Sequence, residues 1–218
     1  MVAVNKLTSG TSVNTASSGE PSVAREKTKG ERRREQIVGT AKEILLSQGY
    51  EKLGMRELAK QIGIKHGNLQ YYFPTKNDLL IAIFDDQLSK YTSSLKDAVA
   101  ATSTKQGRIG AIVDAAFEEM RNPDTALWRL LISLADHTPE LAAILRKENE
   151  LYQKEVAEQL KVIAPELSAS RRQHVAQMFN AFLDGFGVQG AYKDLSGPDM
   201  KALAAETKVA LVAIIDMN

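Results

Sequence analysis

The chain has 218 residues, 44% hydrophobic and 25% charged, enough to bury a core, and no apolar run reaches the length of a membrane span. It has no cysteine, which excludes disulfides, thiolate metal sites and cysteine nucleophiles, and no charged-then-apolar leader opens it, so a soluble cytoplasmic protein without membrane contact is expected. The net charge of +1 is unevenly divided: residues 1–78 hold 13 Lys/Arg against 8 Asp/Glu and residues 79–218 hold 15 against 19, so the front suits either a polyanionic partner or a solvated charge run.

Residues 1–30 are rich in Ser, Thr, Gly and Asn, with no aromatic residue and no apolar periodicity, and read as a disordered arm. Its end is basic, with Arg25, Lys27 and Lys29 followed by Arg32, Arg33 and Arg34 at the start of the first expected helix. Such an arm suits either DNA phosphates and the minor groove or a solubilising tail. From Arg32 onward every segment reads as helix. Ile37, Ala41, Ile44 and Leu45 form one apolar face, and Gly49 stops the helix. Pro74-Thr75 opens a long helix to about Thr102, capped by Thr75 and Asp78, with Leu79, Ile83, Leu88 and Leu95 on its apolar side.

Further breaks fall at Asn122-Pro123-Asp124, at Thr138-Pro139-Glu140 (a cap with Pro in the first helical position), at Pro165 before Ser168, and at Ser196-Gly197-Pro198. No stretch alternates as a strand would. The expected fold is all-α, with about nine helices, three short ones in front and six longer behind. Three units are expected: the arm to residue 30, a front domain over 31–78, and a larger helical domain over 79–218.

The informative stretch is Met55–Tyr72, MRELAKQIGIKHGNLQYY. A helix-turn-helix needs a small residue where its helices touch, a residue tolerant of positive φ at the turn, and apolar residues to lock the pair. Ala59 supplies the first and Gly63 the second, while Leu58, Ile62, Ile64, Leu69 and Tyr72 supply the locks. All the conditions are met in one register.

The run Ile37–Leu80, through Gly49-Tyr50, Ala59-x-x-x-Gly63 and Tyr72-Phe73-Pro74-Thr75-Lys76, resembles the DNA-binding domain of the TetR family of bacterial regulators. Two positions depart from the family pattern: Lys65 stands where Ser or Thr commonly caps the recognition helix, and Gln70 where Tyr is common. The resemblance places Lys65, His66, Gly67, Asn68, Gln70 and Tyr71 on the exposed half of that helix. His66, Asn68 and Gln70 are candidates for base edges, since each side chain can donate and accept in the major groove. Gly67 permits close approach. The resemblance also implies that Arg56, Tyr71, Tyr72 and Lys76 contact DNA, mostly at phosphate.

It implies, too, a homodimer built from the last two helices, reading a palindromic operator through recognition helices about 34–36 Å apart. Val175, Phe179, Phe182 and Phe186 form one stripe, and Ala181, Gly185 and Val188 a neighbouring face. Ala202, Ala205, Ala210 and Ala213 would let final helices pack closely. Phe117, Met120, Trp128, His137, Tyr152, Met178 and Phe182 are candidate linings for an unknown small-molecule effector, and each suits a helical core as well. Trp128 and Tyr152 could cage a cation. LWRLLISLADHTPELAAILR with the later FLDGF resembles the betaine/choline-type branch of the family. Arg129 and Asp184 are costly to bury alone and fit either a ligand or a structural ion pair.

A ligand-released repressor is therefore expected, with double-stranded DNA and the effector as partners. An alternative is a nonspecific DNA-binding protein. A small helical enzyme is disfavoured, because no phosphate loop, nucleophile elbow or HExxH is present and the three histidines have no ligand spacing. No metal and no cofactor is expected.

Overall fold

The structure, a computed structural model, describes residues 26–189 and 198–217. Most of the basic arm, including Arg25, lies outside the described residues, as do Ser196 and Gly197 at the start of the last helix. Among the described residues the chain is all-α, with α1 (Lys29–Gln48), α2 (Met55–Gln61), α3 (His66–Tyr72), α4 (Lys76–Ala100), α5 (Lys105–Arg121), α6 (Thr125–Ala135), α7 (Pro139–Ile163), α8 (Ala169–Gln189) and α9 (Pro198–Asp216).

The first helix starts before Arg32 and is 20 residues long, so it is not one of three short front helices. The cause is a capping box. Thr28 Oγ1 accepts from the Glu31 amide at 3.2 Å, and Glu31 Oε2 accepts from the Thr28 amide at 2.6 Å, satisfying two N–H groups that a helix start leaves open. Much of the adjoining basic charge is also paired, Lys27 with Glu35 at 2.6 Å and Arg32 with Glu26 at 3.4 Å.

Gly49 ends α1 at φ 86°, ψ 174°, a region open to little but glycine. Gly49→Ala is expected to cost about 1–3 kcal/mol in urea unfolding. A loss below about 0.5 kcal/mol would mean that this junction relaxes freely. The long helix begins as its caps predict: Asp78 Oδ2 accepts from the Thr75 amide at 2.9 Å, and Thr75 Oγ1 accepts from the Asp78 amide at 3.1 Å. Its 25 residues span about 38 Å. Pro139 opens α7, where the Thr138 side chain makes no capping bond, and Ser168 Oγ accepts from the Arg171 amide at 3.1 Å to cap α8.

Two apolar cores result. The first gathers Ile37, Leu45, Leu58, Leu69 and Leu79–Phe84 with Leu127 and Leu131 of α6 and Leu141 and Ile144 of α7. The second gathers the far half of α4, α5, the far half of α7, α8 and α9. The long helices α4 and α7 therefore pass through both cores. Where they cross from one to the other, each buries a polar side chain, Gln87 at 5% exposure and Glu148 at 0%. One ion pair, Lys42–Asp124, also joins α1 to the start of α6.

Candidate nucleic-acid interface and effector cavity

The turn between α2 and α3 closes by two bonds, Gly63 N–H to the Lys60 carbonyl at 3.2 Å and Ile64 N–H to the Ala59 carbonyl at 2.9 Å. This is the Schellman pattern, and it requires the positive φ of Gly63, which is 70°. Leu58 and Leu69 are fully buried between the helices, and Ala59 is 2% exposed. Ile62, Ile64 and Tyr72 pack half-buried against the same core. With Leu69 pinned inward, α3 turns Gly67, Asn68 and Gln70 to solvent, with Lys65 exposed just before it and Arg56 exposed on α2. His66 is half-buried, and Tyr71, 82% exposed, stands edge-on to Tyr72 with ring centres 5.4 Å apart. The Lys65 side chain has only donors and cannot cap the helix start.

Gln70→Ala is expected to relax base preference at one or two base pairs, by about 1–3 kcal/mol, in anisotropy titrations against a substituted operator set. An equal loss on every sequence would make Gln70 a phosphate contact instead.

Lys76, one of the expected DNA contacts, is engaged within the fold. Its Nζ donates to the Tyr50 carbonyl at 2.8 Å and lies 3.5 Å from the Tyr50 ring centre, strapping the start of α4 to the turn after α1. Partial burial lowers its pKa, with Glu51 opposing. A lysine so engaged offers little charge to a phosphate. Lys76→Ala is expected to lower the melting temperature and leave the salt slope of DNA binding unchanged; a slope smaller by about one would return it to the interface.

The second candidate site is a cavity between α4, α5, α6, α7 and α8. Of the residues expected there, Met120, Trp128 and Tyr152 are in its wall. The other four are placed elsewhere. Phe117 is buried in the second core against Phe186, with ring centres 5.5 Å apart. His137 is exposed after α6, and Met178 and Phe182 lie on the outer side of α8, 40% and 39% exposed. These positions follow helical phase: α8 points Asn180, Leu183, Asp184 and Gly187 at the cavity and Met178 and Phe182 away from it.

Sequence reasoning did not pick out Gln87, Tyr91, Glu119, Asn149 or Asn180, which also line the cavity, and left Arg129 and Asp184 with two readings; both are in the wall. The Tyr91 and Tyr152 hydroxyls are 3.4 Å apart with ring centres 5.5 Å apart. Burial pushes the Tyr91 hydroxyl up to about 12 and raises Tyr152 well above its ordinary value. Desolvation raises the Glu119 carboxyl, against a hydrogen bond from Asn122. It also raises Asp184, whose carboxylate accepts from Asn180 Nδ2 at 3.2 Å. Trp128 connects the cavity to the first core through Phe84, ring centres 5.2 Å apart.

Among the described residues, no group of His, Asp or Glu could hold a metal, and no helix is long and apolar enough to cross a membrane.

Comparison with known proteins agrees with this architecture. The description "Bacterial regulatory proteins, tetR family" matches residues 37–83, and "BetI-type transcriptional repressor, C-terminal" matches residues 105–213. The HTH-type transcriptional regulator BetI of Rhizobium meliloti is 26% identical over 181 residues, 82% of this chain and 85% of that protein. The fatty acid metabolism regulator protein of Bacillus subtilis is 24% identical over 82 residues, covering 38% of this chain and 42% of that protein. The crystal structure of a transcriptional regulator from Pseudomonas aeruginosa PAO1 shares the fold, with TM-score 0.70 and 14% identity over 86% of this chain and 91% of that one. The chain is thus a DNA-binding transcriptional regulator rather than an enzyme, and it belongs to the TetR family of bacterial regulatory proteins with a BetI-type C-terminal domain.

Proposed function

We propose that the chain is a cytoplasmic homodimeric repressor that binds a palindromic operator and leaves it when a small molecule fills the cavity. The observation that carries this reading is the shared pair of helices, α4 and α7. Each contributes to the core that fixes α3 and to the wall of the cavity, which gives a packed route from one site to the other. Arg56, Lys65, His66, Gly67, Asn68, Gln70, Tyr71 and Tyr72 are the proposed DNA contacts, with Met120, Trp128 and Tyr152 among those of the effector.

An apolar stripe supports dimerisation through the last two helices. Of the expected stripe, Val175, Phe179 and Phe186 belong to the second core, while Phe182, with Met178 beside it, is about two-fifths exposed on α8, and Val209 on α9 is 72% exposed beside exposed Ala202, Ala205, Ala210 and Ala213. Such a stripe at helical spacing is covered in a helix-to-helix dimer with small residues at its centre.

The test is fluorescence anisotropy with the intergenic DNA beside the chain's own gene, against scrambled DNA, over a salt series. A preference of a thousandfold or more is expected. Equal affinity for both DNAs, falling steeply with salt, would favour the nonspecific binder.

A further inference from the structure

Resting on that repressor reading, we infer that Glu148 of α7 and Asp85 of α4 form a proton-operated latch, closed while Glu148 carries a proton, through which rising pH lowers operator affinity. The crossing of the two helices is short of donors. Glu148 has no exposed surface and Gln87 is 5% exposed, and both lie where α4 and α7 pass from one core to the other. Among the described residues, four buried side-chain nitrogen or oxygen atoms lack a hydrogen-bond partner. Three of them are here: both Glu148 carboxyl oxygens and Gln87 Oε1. An unpaired buried acceptor is costly, and an ionised one more so. One proton changes the count, because it makes Glu148 a donor.

The recipient is Asp85, whose half-exposed carboxylate faces Glu148 from α4 within hydrogen-bonding reach. Lys147 lies 3.4 Å from Asp85 and 3.8 Å from Glu148. With Glu148 protonated, its O–H donates to Asp85, Asp85 keeps its ion pair with Lys147, and the charges of the group cancel. Loss of that proton leaves two carboxylates against one half-exposed ammonium. Desolvation and then the Asp85 charge push Glu148 up to about 7, with Lys147 opposing. The other helices packed near α7 bring Glu119, Arg129 and Asp184 to the adjoining cavity. The charges that move Glu148 are those of Asp85 and Lys147.

The latch is placed to act on DNA binding. α4 carries Leu79–Phe84 of the core under the recognition helix, and Asp85 follows directly. One turn beyond Gln87, Tyr91 meets Tyr152 of α7 in the second core. An ionised Glu148 regains hydration only if α4 and α7 part to admit water. An α4 released from α7 holds its front domain less firmly. A palindromic operator demands a fixed spacing of two recognition helices, so ordering the loosened pair costs affinity.

Trp128, the one tryptophan of the chain, packs on Phe84 with ring centres 5.2 Å apart, so its fluorescence follows the crossing. The full chain, Glu148→Gln and Asp85→Asn are compared from pH 5.5 to pH 8.5. The wild-type signal is expected to change with a midpoint of about 7 and to stay constant in Glu148→Gln. In Asp85→Asn, where the like charge is gone, the midpoint moves to lower pH. Affinity for the intergenic DNA beside the chain's own gene should fall about tenfold more between pH 6 and pH 8 in the wild type than in Glu148→Gln. The variant keeps the pH dependence that the interface itself has, half-buried His66 included. Should Glu148→Gln lose its cooperative melt, Asp85→Asn carries the comparison.

Operator affinity with the same pH dependence in wild type and variants overturns the inference, as does a Trp128 signal whose midpoint the substitutions do not move. DNA binding without sequence preference at any pH counts instead against the repressor reading. A Trp128 titration that is lost in Glu148→Gln then still supports the latch.

Discussion

Replacing Glu148 by glutamine is expected to stabilise the protein, and by more at pH 8 than at pH 5. Glu148 is fully buried on α7, and when it is ionised neither of its carboxyl oxygens has a hydrogen-bond partner. Its pKa is pushed up to about 7, first by desolvation and then by the facing carboxylate of Asp85 on α4. Lys147 opposes this from 3.8 Å, but it is half-exposed and also engages Asp85 at 3.4 Å.

The protonated acid is the form that fits, because it can donate to Asp85. In the unfolded chain the same group ionises near 4.5. Between the two values the folded state holds more protons, so stability from this group is complete below about pH 4.5 and is lost as pH rises through about 7. The shift corresponds to a cost on the order of 3 kcal/mol at pH 8, and glutamine, neutral throughout, does not incur it. Urea unfolding of both proteins from pH 5 to pH 8 checks this. A difference that does not grow with pH means that Glu148 titrates normally; a variant less stable at pH 8 means that the charged pair with Lys147 holds the fold together.

Glu148 also shows where sequence reading stops. In the run Arg146-Lys147-Glu148-Asn149-Glu150 it looks like any solvated acid, and only the packing of α4 against α7 buries it. Local signals were legible wherever the chain itself supplies the geometry. Thr75 with Asp78, Pro139, Gly49 and the Ala59–Gly63 spacing each specify an end or a turn through contacts within a few residues. Thr28 with Glu31 is a signal of the same kind, and it was hidden by the polar composition around it.

The recognition helix was legible for a similar reason. One inward residue, Leu69, sets its rotation, and the exposed positions follow from that. The cavity wall was not, because it is assembled from five helices whose mutual rotation no local pattern records. Aromatic and Met residues alone could not separate Trp128, in the wall, from Phe117, in the core behind it. Phe182 lies four residues before Phe186 on α8, yet it is exposed while Phe186 packs on the core.

Breaking the Lys42–Asp124 pair from one side is expected to cost about 2–3 kcal/mol, whereas removing both charges should cost much less. The side chains are only 18% and 26% exposed, so water replaces the lost partner poorly. Lys42→Met leaves Asp124 facing Glu119, whose carboxyl is already raised by desolvation and by the Asp124 charge and is relieved in part by Lys42. Asp124→Asn leaves the ammonium of Lys42 half-buried on α1. A double-mutant cycle in urea should therefore give a coupling energy of at least about 1 kcal/mol. Additive losses would reduce the pair to two independent surface charges. The position gives the pair its interest. Asp124 immediately precedes the Thr125 and Trp128 of the cavity wall, and its carbonyl accepts from Gln87. Lys42 stands on the helix whose Ile44 and Leu45 belong to the core under α2 and α3. On the proposed effector reading, a ligand that displaces Glu119 would reach Asp124, and through Lys42 the element that supports the recognition helix. The same cycle repeated with the cavity filled should then return a smaller coupling than with it empty.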